Sequence, residues 1–544
     1  MAEFSYTAEQ QAAIDSNASM VITACPGSGK TTVVVEKIRK EVANLTNFQG
    51  IIGITFTVKA SKELKLRCKR DGYNTKNSFF GTIDHFCLSE IIFPFISRFY
   101  GISDEPIQCK SIRDLGLPIL DNVPNCQEYS THVNTENYEL LESEFKFLYI
   151  QGIVLLEFLG AIANYILKNS KACRKYFGVK YQSVYVDEYQ DSSEPQHRLF
   201  LELLDLGLTG VAVGDIQQSI YAWRGSKSEF IAQLTAQPDV FEHHIVNINH
   251  RCHPSITNYS NRLFDKNCIL IPTEEVRVYQ WSYTGTQLDV AESMNTAIKD
   301  LMEKELASSL SQIAILVRNN NTLEFLSKKL TIPFRIFDED PLATRNTRTC
   351  NIFSGLLRFK FDKNHHANEV IETLVEYRAI TSKKITKYRK LIHEIQPMNG
   401  EELAASIVGL TKELIDIDPN QSEIELINTI CCDDKLLKHY KPVDDQEVQV
   451  MTLHKSKGLE FEVVYHLDLY DWIFPKREYI QGNYDEVFSD WQQDLNLHFV
   501  GITRAKNYCF LVTSTNRINF QHQVKNGLPS QFLKIDGLQG LYHN

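Results

Sequence analysis

Runs of consecutive apolar residues, each followed by small or polar residues, recur along the first half of the chain. Residues 20–23 lead into the glycine-containing stretch 24–32, and residues 51–56, 183–191 and 210–226 show the same change from an apolar run to a polar segment. Uniformly apolar runs of this length are typical of strands buried in a parallel sheet. Helical patterns separate these runs, so the chain is predicted to form an α/β fold built on a parallel sheet.

Two stretches of the chain lose this alternation of strand and helix patterns. Residues 91–181 are aromatic-rich with helical spacing and few glycines, and residues 340–438 are polar with helical spacing. Residues 276–336 and 447–469 return to the alternating pattern, and residues 312–318 form the clearest strand among them. We therefore predict a second sheet domain, and a mainly helical insertion in each of the two domains.

Length, charge and cysteine usage limit the classes of protein that fit. At 544 residues the chain is too long for one core, and its formal net charge of −11 confines any nucleic-acid site to a local basic groove. Its 12 cysteines include no C-x-x-C pair, which supports neither a zinc ribbon nor an iron–sulfur cluster and favours reduced thiols. Residues 1–11 lack the features of a signal peptide, and no apolar run is long enough to span a membrane. We expect a cytoplasmic protein without a membrane segment.

The stretch ACPGSGKTT has the composition of a phosphate-binding loop between a strand and a helix. Gly27 and Gly29 permit positive φ, which lets backbone N–H groups point at a phosphate, and the helix that follows adds its dipole. Lys30 offers a charge to the β- and γ-phosphates, and Thr31 offers a hydroxyl to Mg²⁺. Where the strict pattern has glycine this chain has Ala24, which is small enough for the turn. The loop is predicted to bind a nucleoside triphosphate through Ala24, Cys25, Pro26, Gly27, Ser28, Gly29, Lys30, Thr31 and Thr32.

Two adjacent carboxylates end the apolar run that begins at residue 183. Asp187 can hold Mg²⁺ through water, and Glu188 can orient and deprotonate an attacking water. A capped helix start would also place Asp-Glu after a strand, but the Lys30 loop in the same chain favours the catalytic interpretation. Gln218, which follows the next strand, is a candidate sensor of the γ-phosphate.

Aromatic and basic residues follow the same strand ends. Tyr221, Trp223 and Arg224 form a set suited to base stacking and backbone binding, because Trp-Arg-Gly beyond a strand end is a poor core pattern. Arg251 is expected at the tip of a further strand. The helix predicted after residue 57 is basic, and its charges form either a solvated face or contacts to a nucleic-acid backbone. Its cations are Lys59, Lys62, Lys65, Arg67, Lys69 and Arg70.

Taken together, these motifs resemble the superfamily 1 helicases of the UvrD/Rep type, over nearly the whole chain and in the family's order. Eight motifs in register make the resemblance specific. Besides the phosphate loop they are ITFTVKAS (54–61), GTIDHF (81–86), VDEYQDS (186–192), VGDIQQSIYAWRG (213–225), NHR (249–251), MTLHKSKGLEF (451–461) and VGITRAK (500–506).

The resemblance implies a fold and a division into domains. Two RecA-like domains would bind ATP in the cleft between them, and single-stranded DNA would run across their tops. The first would comprise residues 1–90 and 182–250, with residues 91–181 as its helical insertion. The second would comprise residues 251–339 and 440–544, with residues 340–439 as a reduced helical insertion.

The resemblance also implies roles for single residues. Gln10, which by spacing alone completes a capping box with Thr7, looks like the adenine reader, and Glu460 looks like the ribose contact. Arg251 and Arg504 are similar to two arginine fingers that reach from the second domain. The family's catalytic positions correspond to Lys30, Glu188, Gln218, Arg251 and Arg504, and its metal ligands to Thr31 and Asp187. Positions similar to the family's DNA contacts are Phe56, His85, Tyr221, Trp223, Arg224 and His454.

A narrower likeness links residues 81–95, the shortened second insertion and residues 498–506 to the helicase-like B subunit of Gabija anti-phage systems. In those systems the partner of the B subunit is an ATPase-related nuclease. His250 and the run Asp494-Leu495-Asn496 depart from the family pattern. The resemblance therefore does not support adenine stacking at His250, and some polar contacts between the domains are expected to be missing.

Together these likenesses imply an ATP- and Mg²⁺-dependent, 3′→5′ single-stranded DNA translocase or helicase. It would engage single strands or DNA ends in bacterial defence beside a nuclease partner. A DNA-sensing ATPase that activates a nuclease with little unwinding, and a stand-alone DNA repair helicase, remain alternatives.

Overall fold

The computed structural model divides the chain into two compact units. The first contains Met1–Val276, Pro475–Lys506 and Lys534–Leu541, and the second contains Arg277–Phe474, Asn507–Leu533 and Tyr542–Asn544. Within these units the structure describes residues 6–105, 107–222, 225–345, 347–372, 381–480, 485–519 and 521–544. The boundaries of the RecA-like domains and of their insertions stay predictions.

Sixteen strands lie in the described part of the chain. They are β1 (Met20–Ala24), β2 (Gly50–Thr55), β3 (Phe79–Thr82), β4 (Gln108–Lys110), β5 (Ile153–Leu155), β6 (Tyr181–Val186), β7 (Thr209–Gly214), β8 (Glu242–Val246), β9 (Val278–Tyr283), β10 (Ile313–Val317), β11 (Phe334–Phe337), β12 (Val448–Thr452), β13 (Phe461–His466), β14 (Ala505–Ser514), β15 (Asn516–Ile518) and β16 (Val524–Asn526).

The α-helices of the described residues before β9 are α1 (Ala8–Asp15), α2 (Lys30–Ala43), α3 (Val58–Lys69), α4 (Ile83–Phe86), α5 (Phe93–Phe95), α6 (Ser97–Tyr100), α7 (Leu117–Leu120), α8 (Pro124–Tyr129), α9 (Tyr138–Ile150), α10 (Leu159–Asn169), α11 (Lys171–Lys180), α12 (Glu194–Leu204), α13 (Glu229–Thr235) and α14 (Pro254–Arg262). Those that follow are α15 (Gln287–Glu303), α16 (Asn320–Lys329), α17 (Pro341–Arg345), α18 (Arg348–Phe361), α19 (Ala367–Glu372), α20 (Ser382–Glu394), α21 (Gly400–Ile415), α22 (Gln421–Cys432), α23 (Asp434–Leu437) and α24 (Trp491–Ile502).

The first unit is built on a six-stranded parallel sheet in the order β3-β2-β6-β7-β1-β8. Successive residues of a strand point to opposite faces, so Ile22 of β1 packs in the core with α1, α2 and α3, while Val21 packs in the core that includes α10 and α12. Both faces are therefore covered, which explains why these strands are apolar throughout. Because the strands are parallel, the residues that follow β1, β2, β6 and β7 all emerge at one edge of the sheet.

The second unit contains a six-stranded sheet in the order β11-β12-β10-β13-β14-β9, whose described pairings are parallel. Its strands share an apolar core with α15 and α16. Between β11 and β12 the chain forms α17 to α23, which have a core of their own. The predicted α/β fold with two parallel sheets is confirmed. None of the helices in the described residues combines the length and hydrophobicity that a membrane-spanning segment requires.

Candidate nucleotide and DNA site

The phosphate loop connects β1 to α2 with a geometry that requires glycine at two positions. Gly27 has φ 70° and Gly29, which caps α2, has φ 81°. A Cβ atom at Gly27 would lie 2.4 Å from Cβ of Arg251, and one at Gly29 would lie 2.8 Å from Nε2 of Gln10. Both glycines are thus needed for left-handed backbone and for the close approach of two residues from elsewhere in the chain.

Small or apolar residues fill the rest of this loop. Ala24 and Pro26 are buried, and burial raises the pKa of the Cys25 thiol to about 12, so this side chain stays neutral. The hydroxyl oxygen of Ser28 is buried and has no hydrogen-bond partner among the described residues. A phosphate oxygen at the loop would satisfy this hydroxyl, so the Ser28 environment fits a bound nucleotide.

Gln10 performs the structural role that its spacing predicts and also contacts the phosphate loop. Its Oε1 accepts a hydrogen bond from the backbone N–H of Thr7 at 2.9 Å, which completes the capping box of α1. Its Nε2 donates to the carbonyl of Ser28 at 2.9 Å, and the residue is only 3% exposed. One amide hydrogen and one oxygen lone pair remain for adenine, whose recognition by Gln10 stays a prediction.

Glu188 faces the phosphate loop from the end of β6. Its Oε1 lies 4.0 Å from Nζ of Lys30, the first residue of α2. Glu188 has φ 55°, a left-handed conformation that is costly for a residue with a side chain and often found at functional sites. Its backbone N–H donates to Oδ1 of Asp187 at 2.9 Å. The structure therefore places the Glu188 carboxylate beside Lys30, and the Asp187 carboxylate bonds the backbone of Glu188.

The donor set near this loop fits a magnesium ion that arrives with a nucleotide. Thr31 and Asp187 offer one hydroxyl and one carboxylate, and no group of three or more His, Cys, Asp or Glu residues in the described chain is placed to hold a metal by itself. Mg²⁺ commonly binds through one or two protein oxygens, substrate phosphates and water.

Gln218, in the turn after β7, joins two charged residues. Its Nε2 donates to Oδ2 of Asp215 at 2.6 Å, and its Oε1 accepts from Nη2 of Arg504 at 3.1 Å. All three side chains are buried. Burial, together with the repulsion from Arg251, lowers the pKa of Arg504 to about 10, which still leaves its guanidinium charged at neutral pH. Burial also raises the pKa of Asp215, against the attraction of Lys30.

Arg251 belongs to a loop that is tied both to the phosphate loop and to the segment of Arg504. Oδ1 of Asn249 accepts from the backbone N–H of Arg251 at 2.8 Å, which shapes the turn. The N–H of His250 donates to the carbonyl of Gly27 at 3.0 Å, and that of His253 donates to the carbonyl of Lys506 at 2.7 Å. Lys30, Glu188, Gln218, Arg251 and Arg504 thus all lie in the first unit, around one loop.

On the DNA side, two of the predicted aromatic residues stack on each other. The rings of Phe56, which follows β2, and Tyr221, which follows the Gln218 turn, lie 4.9 Å apart with an angle of 20° between their planes. His85 is exposed beside Phe79, with ring centres 5.3 Å apart. Trp223 and Arg224 lie outside the described residues.

Two predicted site residues lie in the second unit. His454 is half-buried in the 3₁₀ turn Leu453–Ser456 after β12, and Glu460 is exposed directly before β13. Their predicted roles in DNA and ribose binding stay predictions.

Sequence comparison identifies the family. Residues 6–94 and 121–239 match the UvrD/REP helicase N-terminal domain, and residues 339–516 match the UvrD-like helicase C-terminal domain. Together the matched segments make up more than half of the chain. The chain belongs to the UvrD/Rep family of helicases. Its enzyme class is therefore that of the ATP-dependent DNA helicases of the UvrD, Rep and PcrA type.

Curated relatives align along almost the full chain. Gabija protein GajB of Bacillus cereus (strain VD045) is 27% identical over 93% of this chain and 94% of its own. ATP-dependent DNA helicase Rep of Buchnera aphidicola subsp. Schizaphis graminum is 25% identical, with 95% of this chain and 94% of Rep aligned. ATP-dependent DNA helicase PcrA of Staphylococcus epidermidis is 22% identical over 95% of this chain and 84% of PcrA.

Within this UvrD/Rep-type site, two buried polar residues were not predicted from the sequence. Asp215 and Gln190 stand inside the motifs VGDIQQS and VDEYQDS, and a polar residue in a motif at a strand end was the available signal. In the run Asp494-Leu495-Asn496, which departs from the family pattern, Nδ2 of Asn496 donates to the carbonyl of Ser219 at 2.9 Å. A polar contact to the Gln218 turn is thus present, supplied by an amide.

Proposed function

We propose that this protein is an ATP-dependent translocase and helicase that moves 3′→5′ along single-stranded DNA. The observation that carries this proposal is the hydrogen-bonded arrangement of Arg504, Gln218 and Asp215, with Lys30 and Glu188 4.0 Å apart at the same loop. A binding protein that had lost catalysis would not be expected to keep these four charged groups and the Gln218 amide together.

Each group has a part in phosphoryl transfer. Glu188 would orient and deprotonate the attacking water, and Lys30 would neutralise the β- and γ-phosphates. Gln218 would contact the γ-phosphate, while Arg251 and Arg504 would stabilise the negative charge of the transition state. An arginine in this role is worth about 10³–10⁵ in rate.

Thr31 and Asp187 would hold Mg²⁺, the latter through water. When bound, the ion supplies charge neutralisation across the β- and γ-phosphates. Ser28 and the loop amides would bind the phosphate oxygens, and Gln10 would read the adenine edge.

Single-stranded DNA would be bound by stacking and backbone contacts. The Phe56–Tyr221 pair supplies a half-exposed aromatic surface at the same sheet edge as the ATP site. Base–aromatic stacking tolerates any sequence, as a translocase requires. His85, Trp223, Arg224 and His454 are the further contacts that we propose.

A second, more specific role is favoured by the similarity to Gabija protein GajB, which spans more than nine-tenths of both chains. We propose that this protein is the DNA-engaging subunit of a bacterial anti-phage complex, with a nuclease of the GajA type as its partner and single strands or DNA ends as its target. In such a complex, ATP turnover could drive unwinding or only signal DNA binding to the nuclease. A stand-alone repair helicase is the remaining alternative.

Two assays test these roles in sequence. ATP hydrolysis should be stimulated by single-stranded DNA, and Lys30→Ala should abolish it without loss of fold. Strand displacement on a duplex with a 3′ tail is then measured with and without the nuclease partner. Unwinding by the subunit alone supports the helicase; hydrolysis without any unwinding, even with the partner, supports the DNA-sensing ATPase. Absence of DNA-stimulated hydrolysis would refute the motor function.

A further inference from the structure

Gln190 is fully buried two residues after Glu188, and both ends of its side-chain amide are used. Its Oε1 accepts a hydrogen bond from the backbone N–H of Asp215 at 3.0 Å, and its Nε2 donates to Oε2 of Glu188 at 2.6 Å. Because a backbone N–H can only be bonded by the amide oxygen, the amide nitrogen must face Glu188. The orientation of the Gln190 amide is therefore fixed by its surroundings.

This side chain joins two segments that carry different proposed roles. The segment that begins at Asp215 includes Gln218, whose Nε2 bonds the Asp215 carboxylate at 2.6 Å and whose Oε1 accepts from Arg504 at 3.1 Å. Hydrogen bonds thus connect Arg504 to Gln218 and Gln218 to the Asp215 carboxylate. The backbone N–H of the same Asp215 bonds Gln190, which donates to Glu188.

Little space is left for Gln190 to move. A Cβ atom at Gly214 would lie 2.5 Å from its Oε1, and its backbone carbonyl accepts from the hydroxyl of Ser219 at 3.3 Å. Neighbouring Glu188 is itself held in the left-handed region at φ 55°. A carboxylate with one oxygen fixed in this way presents its other oxygen in a defined direction.

We infer that Gln190 is a positioning residue: it holds the Glu188 carboxylate in place for water activation and ties that position to the segment of Gln218. Because its amide oxygen and nitrogen already bond Asp215 and Glu188, Gln190 acts through Glu188 and not by contact with nucleotide. This role presupposes the ATPase activity proposed above.

Gln190→Met tests the role, because methionine has a similar length and lacks both the donor and the acceptor. With saturating single-stranded DNA, kcat for ATP should fall about 10- to 100-fold, as expected when a hydrogen bond to a charged group is lost. The KM for ATP and the affinity for a fluorescent ATP analogue should stay within about threefold, because the phosphate loop is untouched. Gln287→Met is the matched control: Gln287 is also buried and bonds backbone, at Ile518, but lies in the second unit.

Gly214→Ala is a second variant, which displaces the Gln190 amide while leaving Gln190 in place. Gly214→Ala should also lower kcat for ATP, and it keeps the test decisive if Gln190→Met does not fold. Wild-type kcat in the variants that fold would overturn the positioning role, as would a fall in nucleotide affinity that matches the fall in kcat. If the wild-type protein itself does not hydrolyse ATP, the proposed function fails instead.

Discussion

Replacing Glu188 by glutamine separates the chemical step from nucleotide binding. The change removes the base while keeping the shape of the side chain, and loss of a general base typically costs about 10²–10⁴ in rate. The new amide oxygen can still accept the hydrogen bond that Gln190 now donates to Oε2 at 2.6 Å. We therefore expect a folded protein whose kcat for ATP falls by two orders of magnitude or more.

The affinity for ATP should rise slightly in Glu188→Gln, although kcat falls. Lys30 and Glu188 are 4.0 Å apart and partly exposed, with 13% and 26% of their side chains accessible. A pair of this kind is worth about 0.2–1 kcal/mol, so releasing Lys30 for the phosphates should tighten ATP binding by no more than about fivefold. Titration with a fluorescent ATP analogue measures the affinity, and steady-state phosphate release measures kcat. Lost affinity, or turnover reduced by less than tenfold, would refute the assignment of Glu188 as the base.

Further predictions concern the phosphate loop, the DNA surface and pH. Lys30→Ala should eliminate measurable phosphate release, and normal release would place the ATP site elsewhere. Tyr221→Ala should weaken oligonucleotide binding by roughly 1–3 kcal/mol, measured by anisotropy; unchanged affinity would remove the Phe56–Tyr221 surface from the DNA site. Lys59→Glu and Lys69→Glu should each lower the salt dependence of binding by about 0.7 in log–log slope if α3 contacts phosphates, and an unchanged slope would establish a solvated face. Burial lowers the pKa of His197 to about 4 from its ordinary 6.5, so the unfolded chain takes up the proton at a higher pH than the folded chain. The free energy of unfolding should therefore fall as the pH drops from about 6.5 to 4. His197→Gln should reduce this loss of stability, which urea titrations measure.

The sequence predicted the sheet and the grouping of the ATP site for one physical reason. Strands buried on both faces must be apolar throughout, and residues that follow parallel strands must meet at one edge. Lys30, Glu188 and Gln218 each follow such a strand, so their proximity could be expected from the pattern alone. Gln10, by contrast, reaches the loop from a helix outside the sheet, and only the family resemblance indicated it.

Gln190 and Asp215 could not be predicted in the same way. A glutamine or aspartate in a strand-end motif looks the same in sequence whether it is solvated or buried, because burial is decided by neighbours distant along the chain. Here the backbone N–H of Asp215 lies within 3.0 Å of the Gln190 amide oxygen although 25 residues separate them. The strand-end motif marks both residues as candidates, but their contact follows from packing, which composition and periodicity do not specify.

The buried guanidinium of Arg504 carries a charge that a bound γ-phosphate would stabilise. Its guanidinium is buried and already bonds Gln218 and the carbonyl of Val500, at 3.1 and 3.0 Å. Burial and the nearby charge of Arg251 lower its pKa, which means that the charged form is less stable here than in water. An anionic γ-phosphate nearby would offset that penalty through its opposite charge. The γ-phosphate that we propose as a ligand of this site would therefore stabilise a charge that burial disfavours.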